Sequence, residues 1–191
     1  MSNVWVPQAI PGLFMVGKPL LADSRGSFHK ILCETPTNFT TFLFDEIYWS
    51  TSEKGVARGM HLQLPPFHGR KLVFATAGRV QDMVIDLRVG SPTFNQLWQA
   101  ELTPHSAGVL IPAGCAHGFL ALEGPATLVY AQEGDYNQEC DTGVSMTAIG
   151  IESVSLNSNM SQRDRELPTL TEFNSPFVFD QSEYPNWEAQ S

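Results

Sequence analysis

The chain has 191 residues, 42% hydrophobic and 16% charged, which is enough apolar material for one sizeable core and excludes a disordered protein. A formal net charge of −9 argues against any broad nucleic-acid or anionic-membrane surface. An anionic ligand is still allowed, because a few arginines gathered in one cleft outweigh a diffuse negative surface.

At the N-terminus, MSNVWVPQAIPGLFMVG lacks a basic region followed by a long apolar run, and no later segment has the length to span a bilayer. A cytoplasmic protein with no membrane partner is expected. Ala9 to Val16 carries Pro, Gly and β-formers and predicts a first strand. Leu20 to Lys30 holds ADSRGSFHK, a turn with a charged loop leading into a short strand, where Asp23 and Arg25 fit a capped turn. Thr40 to Ser50, TTFLFDEIYWS, is rich in aromatic and β-branched residues and predicts another strand.

The next stretch, VARGMHLQLPPFHGRKLV from Val56 to Val73, concentrates the chemistry. It sets Arg58, His61, Gln63, His68, Arg70 and Lys71 in two short runs separated by Leu-Pro-Pro. In strands, alternate residues share a face. Arg58 is then expected opposite His61 and Gln63, while Lys71 leads a face continued by Val73 and Ala75. A lone histidine is more often a core or surface residue than a catalyst, and Lys71 beside Arg70 also fits a solvated pair. The stretch alone leaves both readings open.

Beyond it, KLVFATAGRVQDMVIDLRVGSP predicts two strands with a turn at Ala77, Gly78 and Arg79, closed by Gly90, Ser91 and Pro92. Val80, Asp82, Val84, Asp86 and Arg88 share one face of the second strand. An aspartate on an apolar face is costly unless paired. Either that face is open to solvent or Asp82 belongs to a polar interior site, with Lys71 as the obvious counter-charge. Phe94 to Leu102, Gly108 to Ile111, Thr127 to Ala131 and Val144 to Ile151 predict further strands. Helical periodicity is absent until a weak span at Leu156 to Glu166. Short strands without intervening helices favour a sandwich or barrel. Cys33, Cys115 and Cys140 are odd in number and widely spaced, poor material for a disulfide framework or a thiolate zinc site. The tail from Thr171 to Ser191 mixes aromatics and acids, and its packing is left open.

The spacing G-x3-P-x-G-x2-H, at Gly108, Pro112, Gly114 and His117, resembles the second motif of the cupin family, in which the histidine often joins two His and a Glu from a first motif to bind a metal. The first motif departs here: Gln63 follows His61 where a second His is usual, and Lys71 stands where a carboxylate would serve. An ammonium has no lone pair for a metal. No metal and no cofactor are expected.

RGMHLQ (58–63), RKLV (70–73), VQDMVIDLRVGSPTF (80–94), LIPAGCAHGF (110–119), LVYAQEGDYNQECDTG (128–143) and SQRD (161–164) follow one another in the order and at the separations of dTDP-4-dehydrorhamnose 3,5-epimerases. The chain resembles that family over roughly residues 10 to 175. The resemblance implies one all-β domain over 1–191, a cupin double-stranded β-helix or jelly roll with short C-terminal helical segments. It also implies a homodimer in which an N-terminal strand crosses to the partner, and a nucleotide-diphosphate sugar as substrate.

By the same resemblance, His61 matches the general base that takes a proton next to a ketone, and Asp164 the carboxylate that orients it. Lys71 matches the donor to the enolate oxygen, and Tyr130 the acid on the opposite face. His117 and Asp82 match site-lining positions that hold ketone or hydroxyl groups and tune Lys71. Arg25 and Arg58 match positions that meet the diphosphate, and Tyr136 an aromatic near the end of the site. Gln63, Glu46 and Tyr48 complete the expected substrate-binding set.

Ser27 and Lys30 stand where well-studied members carry an aromatic and a Glu, and Glu46 and Tyr48 stand where they carry Gln-x-Asn. The catalytic set is retained where the recognition set has changed. The expected activity is epimerisation of a 4-keto-6-deoxy nucleotide sugar at one or two carbons. The competing readings are a sugar 3,4-ketoisomerase on the same fold, a metal-dependent cupin enzyme, which Lys71 opposes, and a non-catalytic nucleotide-sugar-binding cupin.

Overall fold

A computed structural model of the chain describes residues 4–17, 20–31, 43–149, 159–184 and 187. Its strands are β1 (Val4–Pro7), β2 (Phe14–Gly17), β3 (Leu21–Asp23), β4 (Gly26–Phe28), β5 (Glu46–Ser52), β6 (Ala57–Gln63), β7 (Lys71–Asp86), β8 (Leu97–Leu102), β9 (Gly108–Ile111), β10 (Cys115–Gln132) and β11 (Asp141–Gly143). Late in the chain come a 3-10 turn at Met146–Ile149, the single helical turn α1 (Gln162–Arg165) and a second 3-10 turn at Gln181–Glu183.

The frame is the pair β7 and β10, antiparallel along almost their whole length. The Lys71 half of β7 pairs with β9 and with the Tyr130 half of β10, which pairs in turn with β5. The Asp86 half of β7 pairs with β8 and with the His117 half of β10, which pairs with β6, and β6 with β11. Two long strands thus pass from one layer to the other, so the orders are β1-β2-β9-β7-β10-β5 and β8-β7-β10-β6-β11, a cupin jelly roll. The hairpin β3–β4 stands apart from this sheet.

The crossing points reset which residues face inward. Register slips around Ala77 to Arg79, where Gly78 has φ +69°, and again between Ala121 and Thr127 of β10. Strand side chains alternate with period two, so one extra residue flips the set. Before the slip, Val73 and Ala75 enter the central apolar cluster; after it, Val80 and Val84 do. On β10 the inward series Cys115, Phe119 and Ala121 gives way to Ala126, Leu128 and Tyr130. Lys71 and Asp82, of opposite parity, end on the same inner face.

A second cluster, with Met60, Leu62, Met83, Ile85 and Leu87, lies on the other face of the β6-containing layer and is covered by Val144, Met146, Met160 and Phe177. A third, with Val16, Leu72, Leu110 and Ala131, is covered by Trp5, Phe14 and Ile31.

Several expectations are corrected. Residues 71–86 form one bent strand, not two joined by a turn, because Gly78 bends the strand without ending its ladder with β10. Likewise Thr127 to Ala131 is the end of an 18-residue strand. The strand expected at 94–102 starts at Leu97, after a turn in which Asn95 takes φ +62°. At 144–151 the described part is a 3-10 turn, and residues 150–151 lie outside the described residues. The helix expected at 156–166 is reduced to α1; residues 156–158 and 40–42 are likewise outside. In the expected 9–16 strand only Phe14 onward pairs, and β1 at Val4–Pro7 was not foreseen.

The tail packs. Val89 N–H donates to the Phe177 carbonyl and Phe179 N–H to the Val89 carbonyl, and the Trp187 indole donates to the Gln8 carbonyl. Beneath it, Arg88 is paired with Asp86, donates to the Pro11 carbonyl, and lies 5.2 Å from the Phe179 ring and 5.1 Å from that of Tyr184.

Candidate active site

β6 delivers the first group. Between His61, opposite His117, and Arg58, opposite Phe119, β6 has one more residue than β10, and Gly59 takes φ +117° at that bulge. A Cβ on Gly59 would lie 2.5 Å from the Gly118 Cα, so only glycine lets the two strands approach. The extra residue turns Arg58 to the same side as His61, which corrects the strict alternation expected of this run; both line one cavity.

His61 Nε2 lies 2.8 Å from Asp164 Oδ1. The carboxylate is presented by α1, whose N-cap Ser161 accepts the Asp164 amide, and it also accepts the Gly59 amide. Burial pushes the Asp164 carboxyl up, but the bonds from His61, Gly59 and Ser161 outweigh it and hold it below the usual carboxylate range. With Nε2–H donated to Asp164, the other ring nitrogen carries the lone pair of a base.

Lys71, Tyr130 and His117 join His61, Arg58 and Asp164 around this cavity of about 260 Å³. Burial lowers the Lys71 pKa, and the charge of Asp141 only partly restores it. Tyr130 is pushed the other way, upward by burial, so its phenol stays a proton donor well above neutral pH. Its hydroxyl lies 3.2 Å from Ser50 Oγ, and its ring meets that of His117 edge-on at 6.1 Å.

Asp82 is fully buried and does not line the cavity. Its Oδ1 lies 2.7 Å from His117 Nε2, so its partner is His117 rather than the expected Lys71. A second imidazole is thereby oriented from below, and the Asp82 charge also helps to raise the pKa of Tyr130.

A smaller inner recess shares His61, Lys71 and His117 and is lined also by Gln63 and His68. Gln63 spans to the 135–137 loop, donating to the Asp135 carbonyl and accepting the Asn137 amide. On the outer side, Tyr48 lines both the main cavity and a shallower one with Glu46, Gln132 and Tyr136. Glu46 accepts the Tyr136 amide at 3.1 Å, and the Tyr48 hydroxyl donates to Gln132. Arg25 is not brought to this site: it sits on the exposed β3–β4 hairpin, paired with Asp23.

Sequence reasoning passed over Ser50, Arg163 and Asp141. Arg163 lines the main cavity and is paired with Asp141, whose charge favours the protonated form of Lys71. Arg163 lay in plain view within SQRD. Ser50 meets Tyr130 only through the β5–β10 register, which no local pattern encodes. Among the described residues, no group of three His, Cys, Asp or Glu side chains is clustered for a metal.

A family model described as dTDP-4-dehydrorhamnose 3,5-epimerase matches residues 7–172. The dTDP-4-dehydrorhamnose 3,5-epimerase of Mycolicibacterium smegmatis is 36% identical over 171 residues, 86% of this chain and 84% of that relative. Among solved structures, the 3,5-epimerase of Legionella pneumophila in complex with dTDP-4-keto-L-rhamnose gives a TM-score of 0.83 at 26% identity, covering 94% of this chain and 100% of that one. A 3'-monoepimerase of Streptomyces bikiniensis in complex with dTDP-quinovose gives 0.80 at 27% identity, over 86% of this chain and 87% of its own. Matched along most of its length by the family model and by a curated relative, the chain belongs to the dTDP-4-dehydrorhamnose 3,5-epimerase family and is a carbohydrate epimerase, an isomerase.

Proposed function

We propose that the substrate is a 4-keto-6-deoxy sugar carried on a nucleoside diphosphate, inverted next to the ketone by the groups around the His61 cavity. The observation that carries this is the meeting of a carboxylate-oriented imidazole, a half-buried ammonium and a buried phenol in one cavity. His61 removes the weakly acidic proton, and Asp164 stabilises the imidazolium that forms. Lys71 donates to the oxygen on which the enolate charge develops. Tyr130 returns a proton to the other face. His117, its Nε2–H held by Asp82, offers its other ring nitrogen to a sugar hydroxyl, and Arg58 meets the diphosphate.

Two features support a change of recognition at the outer end. Glu46 gives one carboxylate oxygen to the Tyr136 amide and Tyr48 its hydroxyl proton to Gln132, so both side chains are fixed by the chain. They are therefore fixed walls of the site rather than freely swinging contacts to a base. The working protein is proposed to be a cytoplasmic homodimer of single cupin domains, with a core from about 10 to 175. The free thiols of Cys115 and Cys140 suit a reducing compartment.

Incubation in deuterated solvent with 4-keto-6-deoxy nucleotide sugars, followed by NMR at each sugar carbon, tests the reading. Deuterium should enter beside the ketone as the centre inverts. Absence of wash-in with every such sugar overturns it.

A further inference from the structure

Tyr48 and Tyr130 are direct partners in the β5–β10 ladder. Their rings stack with centroids 4.8 Å apart and 13° between planes. Tyr48 is anchored at its far end, where its hydroxyl donates to Gln132 Oε1 at 3.1 Å, and Gln132 is the residue two further along β10. Tyr130 is then held from three directions. Tyr48 covers one face, the His117 ring stands edge-on at 6.1 Å, and Ser50 holds the hydroxyl.

An acid that must strike one face of an enolate needs a fixed ring more than a strong pKa. A tyrosine swings about two side-chain torsions, and misplacement by a fraction of an ångström lowers proton transfer steeply. The stack removes that freedom while the pairing of β5 with β10 supplies its footing. Burial raises the pKa of both phenols, so neither ring carries charge that would drive them apart at neutral pH.

We propose that Tyr48 is a positioning residue: it clamps the Tyr130 ring so that the phenol delivers its proton to the face opposite His61. This rests on the reading of His61 and Tyr130 as base and acid. Its signature is the ratio of inversion to exchange. Proton removal by His61 gives exchange with solvent whether or not Tyr130 is aligned, whereas inversion needs both groups.

The test compares Tyr48→Phe, Tyr48→Leu and Tyr48→Ala with wild type, measuring deuterium entry beside the ketone and the fraction of exchanged molecules that have inverted. Inversion per exchange should fall about 10-fold or more in the Leu and Ala variants and much less in the Phe variant, which loses the Gln132 anchor but keeps the stack. A ratio unchanged in the Leu and Ala variants, with only KM raised, assigns Tyr48 to substrate contact and overturns the proposal. So does a parallel loss of exchange and inversion in a Leu variant that unfolds like wild type. If wild type itself exchanges nothing, the reading of the cavity fails rather than the role of Tyr48.

Discussion

The cavity is made of groups whose protonation is set in opposite directions by the same burial. Lys71 is held below the ordinary lysine range and Tyr130 above the ordinary tyrosine range. The alkaline limb of kcat/KM should therefore come from loss of the Lys71 ammonium, at a pH below that of a free lysine, with no contribution from Tyr130. Replacing Lys71 by Met should lower kcat roughly 10²–10³-fold. It should also raise the melting temperature at neutral pH. A lysine with a depressed folded pKa binds its proton less well folded than unfolded, so it destabilises below that pKa, and the cost fades as pH rises through it. Thermal unfolding of both proteins from neutral to alkaline pH should show the gap closing.

Asp164 runs the other way. Its lowered carboxyl contributes stability that is complete above the usual carboxylate range and is lost as pH falls through the folded value. The stability difference between wild type and Asp164→Asn should shrink in acid, by unfolding at stepped pH. At neutral pH the same variant should lose roughly 10²-fold or more in kcat, because the amide favours the wrong imidazole tautomer. His61→Asn should keep nucleotide binding by calorimetry and lose exchange by about 10²–10⁴-fold.

At the scale of elements, two irregularities bring the groups together, the slip at Gly78 and the bulge at Gly59. Gly59→Ala should destabilise by about 2 kcal/mol or more, since its φ is disfavoured for alanine and the new methyl would meet the Gly118 backbone. Chemical denaturation measures the loss, and activity should fall with it as His61 is pushed from His117. These irregularities also mark the limit of what the sequence disclosed. The strands around His61 and Lys71 were legible from β-formers and turn residues. Arg58 was put on the wrong face and Asp82 given the wrong partner because alternation holds only between irregularities. No pattern of residues announces that a glycine bends a strand instead of ending it. The pairing of Tyr48 with Tyr130 was out of reach for the same reason, being a matter of register across 82 positions of chain.

For the whole molecule, the tail was the part left open by composition and is the part that covers Arg88. Arg88→Leu should cost about 3–5 kcal/mol, because Asp86 would remain buried without its cation. Ending the chain at Phe173 removes Phe177, Phe179 and Tyr184 and should lower the melting temperature by roughly 5–10 °C.

The His61–Asp164 bond joins positions 103 residues apart. Contacts between distant parts of a chain close late, after the local ladders that bring them within reach. A refolding or newly made polypeptide should thus acquire its β-sheet spectrum before it can turn over any sugar, passing through a form that is built but idle. That interval is when a ligand able to grip the half-finished cavity would hasten maturation.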